Sequence, residues 1–170
     1  FDVTPDRAGE AIMGDIVGYG GDSLALWVDC VADAPIERID VMNGAETVAT
    51  LRGYDADDLG SRIRIVWQGA EYRGRGRQTN WVGHAAFSGC KVARMEPINA
   101  WNHERRPTLA APDRVTWDAL TTGNFGGVDL WLEGERGDAR VDIETSLVTG
   151  NLSLADIGLE DHVLDAGGLD

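Results

Sequence analysis

Arg73, Arg75 and Arg77 alternate with Gly74 and Gly76 in a chain whose formal charge is −14. If Glu71 to Trp81 is extended, residues two apart project from one side about 7 Å from each other. Three guanidiniums so spaced, with Trp81 ending the same side, can hold a multivalent anion or a carboxylate-rich partner through bidentate hydrogen bonds. The competing reading pairs them with cross-strand carboxylates of their own sheet, and the 29 Asp and Glu residues favour it.

Other chemistry-bearing types do not assemble. His84, His103 and His162 lie far apart, and none has a second His or a Cys at metal-ligand spacing. No Gly-x-Ser-x-Gly elbow occurs, and no glycine-rich loop opens a helix to cradle phosphate. We therefore assign no catalytic residue and expect no metal or cofactor in this stretch. The acidic run Tyr54 to Ser61 fails as a calcium loop: with Asp55 first, Leu59 takes a ligand position and Val66 stands where a bidentate glutamate belongs. A solvated loop is expected there. Trp27 and Trp131 each fall on the polar side of an alternating run. With Trp81 or Trp101 they could stack on the rings of a carbohydrate ligand, provided two share a face.

The elements that must carry these residues read as strands. In Arg62 to Trp67, Ile63, Ile65 and Trp67 alternate with Arg62, Arg64 and Val66, so Trp67 belongs to the core. Val115, Trp117 and Ala119 alternate with Thr116 and Asp118. Val128, Leu130 and Leu132 face inward, against Asp129, Trp131 and Glu133. Further strands are expected at Ala11 to Tyr19, Leu24 to Ala32, Ile36 to Met42, Glu46 to Leu51, Lys91 to Met95 and Val141 to Leu147. Asn43 and Gly44 form a strong hairpin signal. Glu96 to Pro112 is expected as a long connection, and Ser153 with Asp156 predicts a short helical turn at Leu154 to Ile157.

The predicted fold is all-β, an antiparallel β-sandwich with one or two short helical turns. It occupies one domain over residues 1–170, which suits the length, the 22 glycines and the 43% hydrophobic content. The acidic balance disfavours nucleic acid and anionic membranes as partners. Cys30 and Cys90 are expected as separate thiols rather than a sandwich disulfide.

A set of short motifs then carries a resemblance over most of the chain. They are Met13 Gly14 Asp15, Pro35 Ile36 Glu37 Arg38 Ile39, Trp67 with Gly69, the Tyr72 to Arg77 run leading to Trp81, Thr116 Trp117 with Thr122 Gly123, and Gly167 Gly168 Leu169 Asp170. Together they resemble the C-terminal region of the bacterial family catalogued as domain of unknown function 3604. Full-length members of that family resemble PHP-type metal-dependent phosphoesterases in their N-terminal part. The resemblance implies that this chain is a C-terminal fragment whose β-domain packs beside an N-terminal catalytic domain of the same parent. The histidine and aspartate clusters of such a catalytic domain are missing here.

Overall fold

A computed structural model of the chain describes residues 16, 18, 20, 21, 26, 28–135 and 137–168. Its described residues form an all-β fold of ten antiparallel strands in three sheets, with one turn of 3-10 helix. The chain divides into two compact units, Phe1–Gly53 and Tyr54–Asp170.

In the first unit the described sheet is a hairpin of β1 (Ile39–Asn43) and β2 (Glu46–Leu51). The turn lies one residue later than the Asn-Gly signal suggests. Asn43 pairs with Glu46, so Gly44 and Ala45 are the central residues, and Gly44 takes φ 64° at the first of them. A positive φ at that position gives the backbone twist that matches paired strands, and glycine adopts it without steric cost. The strand expected from Ile36 begins only at Ile39, and residues 28–38 carry no strand. The Ala11 to Tyr19 strand and Trp27 fall largely or wholly outside the described residues.

The second unit is a two-layer sandwich. One sheet has the order β10-β9-β4-β7-β6, formed by Thr149–Ser153, Arg140–Thr145, Thr79–Ser88, Arg114–Thr121 and Thr108–Ala111. The other runs β3-β8-β5, with β3 at Arg62–Gln68, β8 at Phe125–Gly134 and β5 at Cys90–Ile98. The period-two faces read from the sequence supply the core: Ile63 and Trp67 from β3, Val115 and Trp117 from β7, and Val128, Leu130 and Leu132 from β8 are all buried. Trp67 and Trp117 join the two sheets, stacked with ring centroids 5.0 Å apart. Fully burying an aliphatic side chain such as Leu130 contributes about 1.5–3 kcal/mol. Cys90 lies in this core and Cys30 is exposed, and no disulfide joins them.

On β5 the pairing with β8 slips between Val92 and Arg94. That irregularity resets the alternation, so that Val92 lies opposite inward Leu132 while Arg94 lies opposite Trp131. The long connection expected after Met95 is shorter than read, because β5 continues to Ile98 and β6 forms an edge strand at Thr108–Ala111. The helical turn stands at His103–Arg105, where the Asn102 side chain accepts from the Glu104 N–H. At residues 154–156 the chain makes a turn, with the Asp156 N–H donating to the Ser153 carbonyl at 3.2 Å.

Two directly opposed threonines give a prediction of opposite signs. Thr79 and Thr121 pair across β4 and β7, and both are buried. Thr121 Oγ1 accepts from Trp81 Nε1 at 2.8 Å, whereas the Thr79 hydroxyl has no hydrogen-bond partner among the described residues. Thr121→Val orphans the indole N–H and is expected to cost about 1–3 kcal/mol. Thr79→Val removes an unsatisfied group at equal volume and should be neutral or stabilising by up to about 1 kcal/mol. Urea melts of the two variants read the difference.

Candidate functional site

The expected arginine array is not a strand. Residues 71–76 form bends and a turn, and β4 starts only at Thr79. Gly74 takes φ 103° and Gly76 φ 77°, in the left-handed half of backbone space that a strand does not use. Arg73, Arg75 and Arg77 are therefore exposed side chains of a loop rather than one flat face.

Trp81 is corrected with them. Since β4 begins afresh at Thr79, its inward side is Thr79, Trp81, Ala85 and Phe87, and Trp81 is only 8% exposed. Its polar edge is spent on Thr121, so it presents nothing to a ligand or a second domain.

Trp131 does face outward, on the outer side of the β3-β8-β5 sheet. Strand register sets Arg62 on one flank and Arg94 on the other. The Arg62 guanidinium lies 5.6 Å and that of Arg94 4.3 Å from the indole centroid, so cations occupy the ring as cation–π partners. Stacking a sugar there requires displacing them. Trp101 is 82% exposed on the loop after β5.

The next row of the same face is Arg64, Asp129 and Glu96. Arg64 Nε donates to Asp129 Oδ1 at 2.8 Å, Arg64 Nη2 to Oδ2 at 3.0 Å, and Arg62 Nη2 to Oδ2 at 2.6 Å. Arg94 pairs with Glu96. Burial of the Asp129 carboxyl pushes its pKa up, but the hydrogen bonds from Arg64 and Arg62 outweigh that and hold it below the ordinary 3.8. The cross-strand pairing considered for the Arg73 row thus occurs one strand earlier. Asp129 reads in sequence as an ordinary outward residue, and only the register reveals it as the anchor of two guanidiniums.

In the other unit, the hairpin sorts its residues by face. Ile39 lies opposite Leu51, and Val41 opposite Ala49, which makes one side apolar. The other side centres on Asp40, whose Oδ1 accepts from Thr50 Oγ1 at 2.8 Å and whose Oδ2 accepts from Arg38 Nε at 3.0 Å. The Thr50 hydroxyl, with Arg38 and Arg52 behind it, keeps Asp40 below the usual carboxylate range. The polar side is closed by its own bonds. On the apolar side Ile39 and Val41 are half-buried and Leu51 is 49% exposed, so no residue of either strand is fully buried.

The acidic loop behaves as a solvated turn. Asp55 Oδ1 accepts from the backbone N–H groups of Asp57 and Asp58, and Asp58 Oδ2 accepts from that of Asp55. His84 lies 3.9 Å from Glu144, His103 is in the 3-10 turn, and His162 Nε2 bonds the Asp156 carbonyl. The three stay apart, and no group of three metal-ligating side chains forms among the described residues. No family model matches the chain, and the searches of curated proteins and of solved structures return no match.

Proposed function

We propose that this chain is a noncatalytic accessory β-domain that supports a PHP-like, metal-dependent hydrolase domain of the same parent protein. The observation that carries the reading is the amphipathic hairpin Ile39–Leu51. A two-stranded ribbon standing alone in water is marginal, and it becomes stable when its apolar face is covered. Here Ile39, Val41, Ala49 and Leu51 make such a face, while Asp40 ties the opposite one. Interdomain contacts within one chain take this form, an apolar centre with a polar surround. The hydrolase as occupant comes from the motif resemblance.

Hydrogen exchange on the chain alone and with the rest of the parent protein tests this. The backbone of residues 39–51 is expected to gain protection when the second part is added, and Leu51→Asp is expected to abolish the gain. Unchanged exchange across the hairpin in a mixture that does associate would place the contact elsewhere and overturn the docking face.

A further inference from the structure

The segment 69–78, which joins β3 to β4, has a fixed stem and a closed tip. At the stem, the Gly69 N–H donates to the Asn124 carbonyl at 3.2 Å and the Gly123 N–H to the Gly69 carbonyl at 2.9 Å. At the tip, a β-carbon on Gly76 would lie 3.0 Å from the Tyr72 hydroxyl, so the Tyr72 side chain lies against the glycine backbone. Around this turn stand Arg73, Arg75 and Arg77, all exposed. None makes an ion pair or hydrogen bond with a described residue, and Glu71, the anion beside them, pairs with none of them.

Three like charges within five residues repel one another, and successive Cα atoms two apart are at most about 7 Å distant. That separation is within the reach of one arginine side chain, so the three planar forks can converge on one anion that offers several oxygens. A carboxylate presents two oxygens and one charge and fills a single fork. A phosphate group presents more oxygens and up to two charges.

We propose that the 69–78 loop binds a phosphate-class oxyanion, either free or as the phosphate of a small ester. The proposal stands apart from the docking role of the hairpin. The test is calorimetric titration of the full chain with inorganic phosphate, pyrophosphate and glycerol phosphate at low ionic strength. Binding is expected, weakening as salt rises. Replacing Arg73, Arg75 and Arg77 together by alanine is expected to weaken it about tenfold or more. The same positions as lysine keep the charge but lose the forks, and an intermediate loss is expected. A control carrying alanine at Lys91, Arg106 and Arg114, which also lack ion pairs among the described residues, should bind as the parent chain does.

Glycerol phosphate binding as tightly as phosphate points to an ester, and phosphate binding more tightly points to the free ion; either result supports the loop. Absence of binding to any of the three probes would overturn the proposal. An equal loss in the control, or an unchanged affinity in the lysine variant, would overturn it as well. Arg73, Arg75 and Arg77 lie outside every strand, so a two-dimensional amide spectrum serves to verify the fold.

Discussion

Trp67→Ala is expected to lower the unfolding free energy of the sandwich by about 3–5 kcal/mol, the usual cost of truncating a buried aromatic. Trp67 lies opposite Gly126 on β8, and a β-carbon on that glycine would come within 2.8 Å of the indole nitrogen. The indole fills the room left over the glycine and meets Trp117 of the other sheet at 5.0 Å, the two ring planes only 16° apart. Alanine therefore leaves a cavity between the layers that neither sheet can close without shifting backbone. Denaturant melts followed by near-ultraviolet dichroism would measure the loss. A change below about 1 kcal/mol would mean that the indole contributes no more to the core than a small aliphatic side chain.

The second large effect belongs to Asp129, whose side chain is only 10% exposed and holds both Arg62 and Arg64. Removing one member of a buried ion pair costs about 3–5 kcal/mol when the remaining charge stays buried. The two arginines are 36% and 33% exposed, so water recovers part of that. Asp129→Ala is accordingly expected to cost about 2–3 kcal/mol.

The pH dependence follows from the depressed pKa. The folded-state value lies below the unfolded one, so this stabilisation is fully present above the ordinary 3.8 and is lost as pH falls through the folded value. Asp129→Asn, which cannot carry the charge, should flatten that acid limb. Thermal midpoints of the native chain and of the Asp129→Asn variant, compared from neutral pH downward, should converge in acid. A gap that stays constant would show that the carboxylate charge contributes nothing.

Much of the fold was legible because burial writes a period of two. Ile63 and Trp67 on β3, Val115 and Trp117 on β7, and Val128, Leu130 and Leu132 on β8 lie inward, as their alternation requires. The all-β class follows from the same pattern. The stretch 71–78 misled for a physical reason. Arginine and glycine alternate there, but glycine has no side chain to show which way it points, and it is the residue best able to take positive φ. Periodicity without apolar residues therefore did not report a strand. The edge strands β6 and β10 were missed because their sequences, Thr108–Ala111 and Thr149–Ser153, show no alternation of apolar and polar residues.

The chemistry of the outer face was less legible still. Trp131 was identifiable as outward, but the guanidiniums on its ring and the burial of Asp129 depend on which residues of β3 and β5 lie opposite β8. Register is set by turns and by the slip after Val92, which a single strand's pattern does not contain. The hairpin was the reverse case. Its two strands and turn signal were local, whereas its apolar side emerged only from the pairing of Ile39 with Leu51 and Val41 with Ala49.

Calorimetric titration of the proposed PHP-like hydrolase domain, produced separately, into this chain bears most directly on the proposed accessory role. Saturable binding of micromolar or tighter affinity is the predicted result, about −8 kcal/mol or more favourable. Leu51→Asp should weaken it about tenfold or more, because it places a charge on the apolar face proposed to make the contact. No heat of binding at any accessible concentration, with the proposed hydrolase domain fully stable and active alone, would contradict the account.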